Sequence, residues 1–209
     1  DGTVEIINKY SDKITYWVSE SDKGIYDAMN KGIAVATGDY IIFMNAGDKF
    51  TDNYVLDRVA PNLKNATIIT GLWRRCYSNG KVKIGRCKNL NRFLVEMPIC
   101  HQATFTKLSY HKNNLFDTSF KFSADYDFFY RAWRKKEPYL KIDVTIADFI
   151  TGEGVSVNNV CSSVMEREKS WIGERNVWWR LILLGYQVIR IKTVLFAKST
   201  IDKITDIIK

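Results

Sequence analysis

The sequence predicts an α/β fold in which a mixed, largely parallel sheet is flanked by helices. Three observations carry that reading. A strand-like stretch at 14–20, a helical one at 25–36 and an apolar run at 40–44 follow one another at the spacing of a right-handed crossover. The run "YIIFM" (40–44) is continuously apolar, as a strand covered on both faces must be. Further on, "RRCYSNGKVKIG" (74–85) sets Asn79-Gly80 between two alternating arms, the signal of an antiparallel hairpin with a type I′ turn.

In chain order, Asp1 is expected to cap a short helix carrying Val4, Ile7 and Tyr10 on one face. "ITYWVSE" (14–20) then reads as a strand. Ile25, Ala28, Met29, Ile33 and Ala36 recur at helical spacing, and Gly38 is placed for a left-handed C-terminal cap. After the 40–44 strand, "NYVLDRVAPNL" (53–63) is helical and "ATIITG" (66–71) returns as a strand. Ser123 is expected to cap a helix running to Lys135, with Phe128, Phe129, Ala132 and Trp133 on its apolar side. "YLKIDVTIADF" (139–149) alternates as a strand does, and the chain from about Val160 is helical, basic and aromatic.

Composition narrows the function. The chain has 209 residues and a net charge of +8, from 31 Lys and Arg against 23 Asp and Glu, which favours an anionic partner: nucleotide phosphate, lipid head group or nucleic acid. Cys76, Cys87, Cys100 and Cys161 form no C-x-x-C pair and there are two histidines, so zinc is not expected; buried reduced thiols in a cytosolic protein are. The opening Asp1-Gly2-Thr3 does not read as a signal peptide. The most apolar stretch (177–196) is interrupted by Arg180, Arg190 and Lys192, short of the roughly 18 uncharged residues of a membrane span.

"IIFMNAGDKF" (41–50) places one carboxylate, Asp48, at the tip of a buried strand. Ligands of open α/β sheets bind beyond such tips, and Mg2+ or Mn2+ held by a substrate phosphate needs only one or two carboxylates. The same residues also suit an ordinary turn.

Read together, "SESDKGIYDAMNKGIAVATGDYIIFMNAGDKF" (19–50), the opening "DGT", "PICHQATF" (98–105) and "FSADYDFFYRAW" (122–133) resemble family 2 glycosyltransferases, inverting enzymes of GT-A fold, and most closely those of bacterial surface-polysaccharide assembly. The resemblance covers about residues 1–156, leaving 157–209 as a helical, basic and aromatic tail. It implies transfer of a sugar from a nucleotide-diphosphate sugar to a saccharide or polyprenyl-linked acceptor. "NAGD" takes the place of the family's metal and nucleotide motif, with Asn45 and Gly47 where acids are usual and Asp48 as the remaining one. Asp125 falls on the aspartate of the family's catalytic Glu-Asp pair, with Ala124 in the glutamate's place.

Inverting transfer needs a group to take the acceptor's proton, and Asp125 is that candidate. Asp127 lies about 200° further around the helix and cannot face the same atom. Both acids also suit the first turn of a helix electrostatically. Asp22, Lys23, Gly24, Asp27 and Asn30 match the stretch bordering the donor nucleotide, with Lys23 and Asn30 as binding candidates, and His101 and Gln102 match a pair bordering donor sugar and acceptor. "GEGVS" (152–156) resembles a loop closing over substrate. The family's first two parallel strands, which grip the nucleoside, have no counterpart here, so this piece alone is expected to bind donor poorly. The tail, with Trp171, Trp178, Trp179, Arg180, Arg190 and Lys192, suits either packing on the domain or docking at the cytoplasmic face of an anionic membrane. The competing reading is a non-catalytic carbohydrate- or nucleic-acid-binding module; the core carries no nucleic-acid signature, and no nucleic-acid partner is expected. The glycosyltransferase reading requires Asp48 and Asp125 to meet at one pocket.

Overall fold

The structure is a computed structural model that describes residues 2–150, 160–167, 169–171, 181–182, 185–186, 188–189 and 192–193. Its centre is a six-stranded mixed sheet: β1 (Tyr40–Ile41), β2 (Lys49–Phe50), β3 (Ile68–Cys76), β4 (Val82–Gly85), β5 (Thr104–Lys107) and β6 (Tyr139–Ile150). The spatial order is β1-β5-β3-β6-β2, and β4 pairs with β3 beyond the end of β5. The α/β class is as expected, but parallel pairing is confined to β3 and β6, the other four pairs being antiparallel.

β3 organises the core through its two-residue period. Ile68 packs among Ile33, Phe93, Phe116, Phe128 and Phe129, while its neighbour Ile69 faces Val55, Val59, Phe105 and Ile146 on the other side. The first layer holds α2 (Ile25–Val35), α4 (Leu108–Asn113) and α5 (Ala124–Arg134); the second holds α3 (Val55–Val59). Each large side chain so enclosed contributes about 1.5–3 kcal/mol.

The 40–44 run shows why continuous hydrophobicity is a two-sided signal. Ile41 and Phe43 pack on the first layer, and Tyr40, Ile42 and Met44 on the second. Its pairing corrects the expectation: Tyr40 and Ile41 run antiparallel to Lys107 and Thr106, at an end of the sheet order. An apolar run specifies burial on both faces, not the direction of its neighbour.

Other expectations are corrected locally. Residues 14–20 join no sheet among the described residues, and Tyr16, Trp17 and Val18 are exposed, because alternation without a hydrogen-bonding partner makes no strand. The helix α1 (Thr3–Lys9) forms with no buried residue, and Asp1 lies outside the described residues. α2 ends on an extended Ala36 and Gly38 is not left-handed. In the 74–85 hairpin only Gly80 has positive φ (77°), so the turn is not type I′. Gly80 N–H donates to Tyr77 O and Tyr77 N–H to Lys81 O, a turn closed by a glycine bulge. Cys76 and Cys87 are half-buried, and Cys100 is buried; none of the three is in a disulfide among the described residues. Among the described residues no helix is long and apolar enough to cross a membrane. "GEGVS", the boundary near 156, Trp178, Trp179, Arg180 and Arg190 lie outside the described residues.

Candidate active site

The apolar run carrying β1 ends in a tight turn over Asn45–Asp48. Asp48 N–H donates to Asn45 O at 3.0 Å, and Asn45 N–H donates to Asp48 Oδ2 at 3.3 Å. Gly47, third in the turn, has φ 89°, a conformation that costs other residues strain. Immediately beyond, Lys49 and Phe50 pair with Asp148 and Ala147 of β6, and Thr51 N–H reaches Ile146 O. The turn is thus tied to the sheet on its C-terminal side. Asp48 is half-buried, and loss of water raises its pKa although Gln102 and the Asn45 amide donate to it.

Gln102 supports this turn and lines the same cleft as the second carboxylate, Asp125. Its Oε1 accepts from Cys100 Sγ at 3.3 Å, leaving the amide NH2 to serve Asp48. Neighbouring His101 is buried against Phe43, Phe116 and Phe129, at ring separations of 5.2, 5.8 and 5.7 Å. Burial lowers its pKa, partly opposed by the charge of Asp125, so the ring is neutral near pH 7.

The first turn of α5 separates its two acids. Asp127 is 5% exposed and accepts from Arg131 Nε at 2.7 Å, a part-buried ion pair within the helix. Asp125, half-buried, instead accepts the phenol hydrogen of Tyr26 on α2, at 3.1 Å. Ser123 occupies the N-cap position but does not cap with its side chain. Its hydroxyl donates to Ser163 O, at 2.8 Å, on the helix α6 (Val160–Arg167). From the same helix, Glu166 accepts the backbone N–H groups of Lys121 and Phe122 at 2.9 and 2.8 Å.

These elements enclose a cleft of about 100 Å³ lined by Asn45, His101, Gln102 and Asp125, with Tyr26, Met29, Ile25, Lys121 and Phe122 completing it. Four of the seven residues expected at the site therefore meet. The expectation that Asp48 and Asp125 share one pocket is corrected: Asp125 lines the cleft and Asp48 does not, being joined to it only through its bonds to the lining residues Asn45 and Gln102. Lys23 is exposed and away from the lining, its N–H held by Asp27 Oδ2. Asn30 bridges to the chain ahead of α5, donating to Phe116 O at 2.9 Å and accepting from Phe116 N–H at 3.0 Å. Asp22 caps locally, accepting from Gly24 N–H.

Tyr26, Lys121 and Phe122 were not anticipated. Tyr26 sits inside the "DKGIYDAMN" stretch, but its phenol reads as part of a helix's apolar face until α5 is placed beside it. For a divalent cation, the described residues offer no cluster of three or more His, Cys, Asp or Glu. Asp48 with the Asn45 amide matches the one-carboxylate minimum of a phosphate-bound ion, and nothing beyond it.

An α/β domain with one carboxylate, Asp125, in a strand-end cleft and a second, Asp48, behind its lining is the class that fold and geometry define. Residues 1–136 match the family described as Glycosyl transferase family 2, and the chain belongs to that family. It is similar to a protein of Mycobacterium tuberculosis (strain CDC 1551 / Oshkosh) named as an uncharacterized glycosyltransferase, 31% identical over 157 residues, covering 72% of this chain and 60% of that one. A PGL/p-HBAD biosynthesis glycosyltransferase of Mycobacterium bovis (strain BCG / Pasteur 1173P2) is 29% identical over 140 residues, 61% of this chain and 52% of its own. A third relative, an uncharacterized glycosyltransferase of Rickettsia typhi, is 24% identical over 187 residues, 83% of this chain and 58% of its own. The chain thus spans 60% or less of the length of these three relatives.

Proposed function

We propose that this chain takes part in moving a sugar from a nucleotide-diphosphate sugar to a saccharide or lipid-linked saccharide acceptor, with inversion, in polysaccharide or glycolipid biosynthesis. The observation that carries the reading is the convergence of Asp125, His101, Gln102 and Asn45 on one cleft, with Asp48 directly behind it. In this reading Asp125 removes the proton of the acceptor hydroxyl while that oxygen bonds to the anomeric carbon from the side opposite the diphosphate. The bond from the anomeric carbon to the diphosphate oxygen breaks, and the nucleoside diphosphate leaves with the electron pair. Asp125 suits the task because its partner is a neutral phenol, whereas Asp127 is neutralised by Arg131.

Asp48, aided by Asn45, would hold Mg2+ or Mn2+. When bound, such an ion offsets charge on the departing diphosphate. Neutral His101 and Gln102 border the sugar in this reading, and Lys23 remains the candidate for the nucleotide side, since the Asn30 amide is spent on Phe116. Residues 1–156 would form the catalytic part. We place the protein in the cytoplasm, with the 157–209 tail as the contact to an anionic membrane surface, because the tail combines basic and aromatic residues.

The test is a panel of UDP-, GDP- and dTDP-linked sugars offered to the full-length protein, with nucleoside diphosphate release as readout and NMR of the product's anomeric proton. Turnover with inverted configuration is expected. A retained anomer, or binding without turnover on every donor, would favour a different mechanism or a binding module.

A further inference from the structure

We propose that Tyr26 is the positioning residue for Asp125, fixing the orientation of its carboxylate through the hydrogen bond from α2 to α5; this rests on the reading of Asp125 as the base. The terminal torsion of an aspartate is broad and roughly two-fold, so a lone carboxylate sweeps its lone pairs over many directions. A general base must instead aim one oxygen at the acceptor hydroxyl. Tyr26 supplies the constraint by donating to Oδ1 at 3.1 Å, which leaves Oδ2 for the substrate.

The donor is itself held. Tyr26 is 7% exposed, its ring lies 5.4 Å from that of Phe116, and its helix is pinned to Phe116 by both ends of the Asn30 amide. The two partners are 99 residues apart in sequence, and both line the cleft. Their bond therefore exists only when α2 and α5 are docked.

A phenol suits this role better than a cation. An arginine or lysine beside a carboxylate lowers its basicity, whereas a neutral donor orients it with a smaller penalty. Burial and the charge of Asp125 push the phenol's own pKa far up, so Tyr26 remains a donor throughout the working range. The other titratable groups lining the cleft, beside Tyr26 and Asp125, are His101, neutral through burial, and Lys121, which is exposed.

The test is Tyr26→Phe in the full-length protein, which keeps the ring packed and deletes only the donor. Using a sugar donor from the panel above, kcat should fall about tenfold with donor KM unchanged, the mark of a transition-state interaction. A thermal melt on the same sample separates misfolding from this effect. Wild-type kcat in Tyr26→Phe, or a loss explained wholly by a lower melting temperature, would overturn the inference. Full turnover in Asp125→Asn would instead remove the base reading beneath it, so the two failures are distinguishable.

Discussion

Replacing Asp148 by asparagine removes one negative charge from beneath the Asn45–Asp48 turn with almost no change of shape. Asp148 accepts from Arg74 twice, Nε to Oδ1 and Nη2 to Oδ2, each at 2.6 Å, and from the Thr51 hydroxyl at 3.3 Å. Its side chain is 4% exposed and that of Arg74 39%. Breaking a buried pair from one side costs about 3–5 kcal/mol when the survivor stays dry. Arg74 is open enough to regain water, and the amide keeps one acceptor, so the expected loss is about 2–3 kcal/mol. Urea denaturation would show it as a midpoint lowered by roughly 1–1.5 M at unchanged slope, taking about 2 kcal/mol/M for the slope.

The pH dependence has a fixed sign. The hydrogen bonds from Arg74 chiefly hold the Asp148 carboxyl below its ordinary pKa. Its stabilisation is therefore present above the unfolded-state value near 4 and is lost as pH falls through the lower folded value. The gap between wild type and variant should close in acid. Lys49 pairs with Asp148 in the sheet, so the same change should loosen the strand that follows Asp48. A stability loss under 0.5 kcal/mol at pH 7, or a gap that persists in acid, would refute the reasoning.

His111 stacks on Phe128 at 4.1 Å, its Nδ1 finds no partner among the described residues, and burial lowers its pKa to about 4. The unfolded chain binds the extra proton between about pH 4 and 6.5, so stability rises across that window; His111→Phe should flatten the slope, removing about 3 kcal/mol of pH dependence in acid melts. Glu166→Ala leaves the N–H groups of Lys121 and Phe122 without their acceptor, and amide exchange there should accelerate about five- to thirtyfold, as a loss of 1–2 kcal/mol implies. Asp48→Asn should raise the Mg2+ or Mn2+ concentration needed for half-maximal turnover by at least about tenfold, read by titration after chelator treatment.

The long periodic elements were legible because their burial is written twice, in pattern and in length. Helix α2, helix α5 and strand β6 fall where 25–36, 123–135 and 139–149 are read, and β3 joins the strand read at 66–71 to the first arm of the 74–85 hairpin. What sequence hides is the partner. Residues 14–20 alternate as a strand does yet have no neighbour to bond, and 40–44 shows burial on both faces without showing that β5 runs antiparallel to it. The same limit governs the site. The Asn45–Asp48 turn is readable from Asn, Gly and Asp in a row, whereas Tyr26 acquires its partner only when α2 meets α5. Asn30 matches the motif as well as any residue there, and only the fold shows both ends of its amide spent on Phe116.

The most direct measurement is Asp125→Asn in the full-length protein, with sugar-donor turnover and calorimetric donor affinity taken on one sample. A proton acceptor in the cleft predicts that turnover falls by about 10²–10⁴ while donor affinity stays within a factor of a few. Turnover near the wild-type rate would show that the proton leaves by another route and would contradict the account.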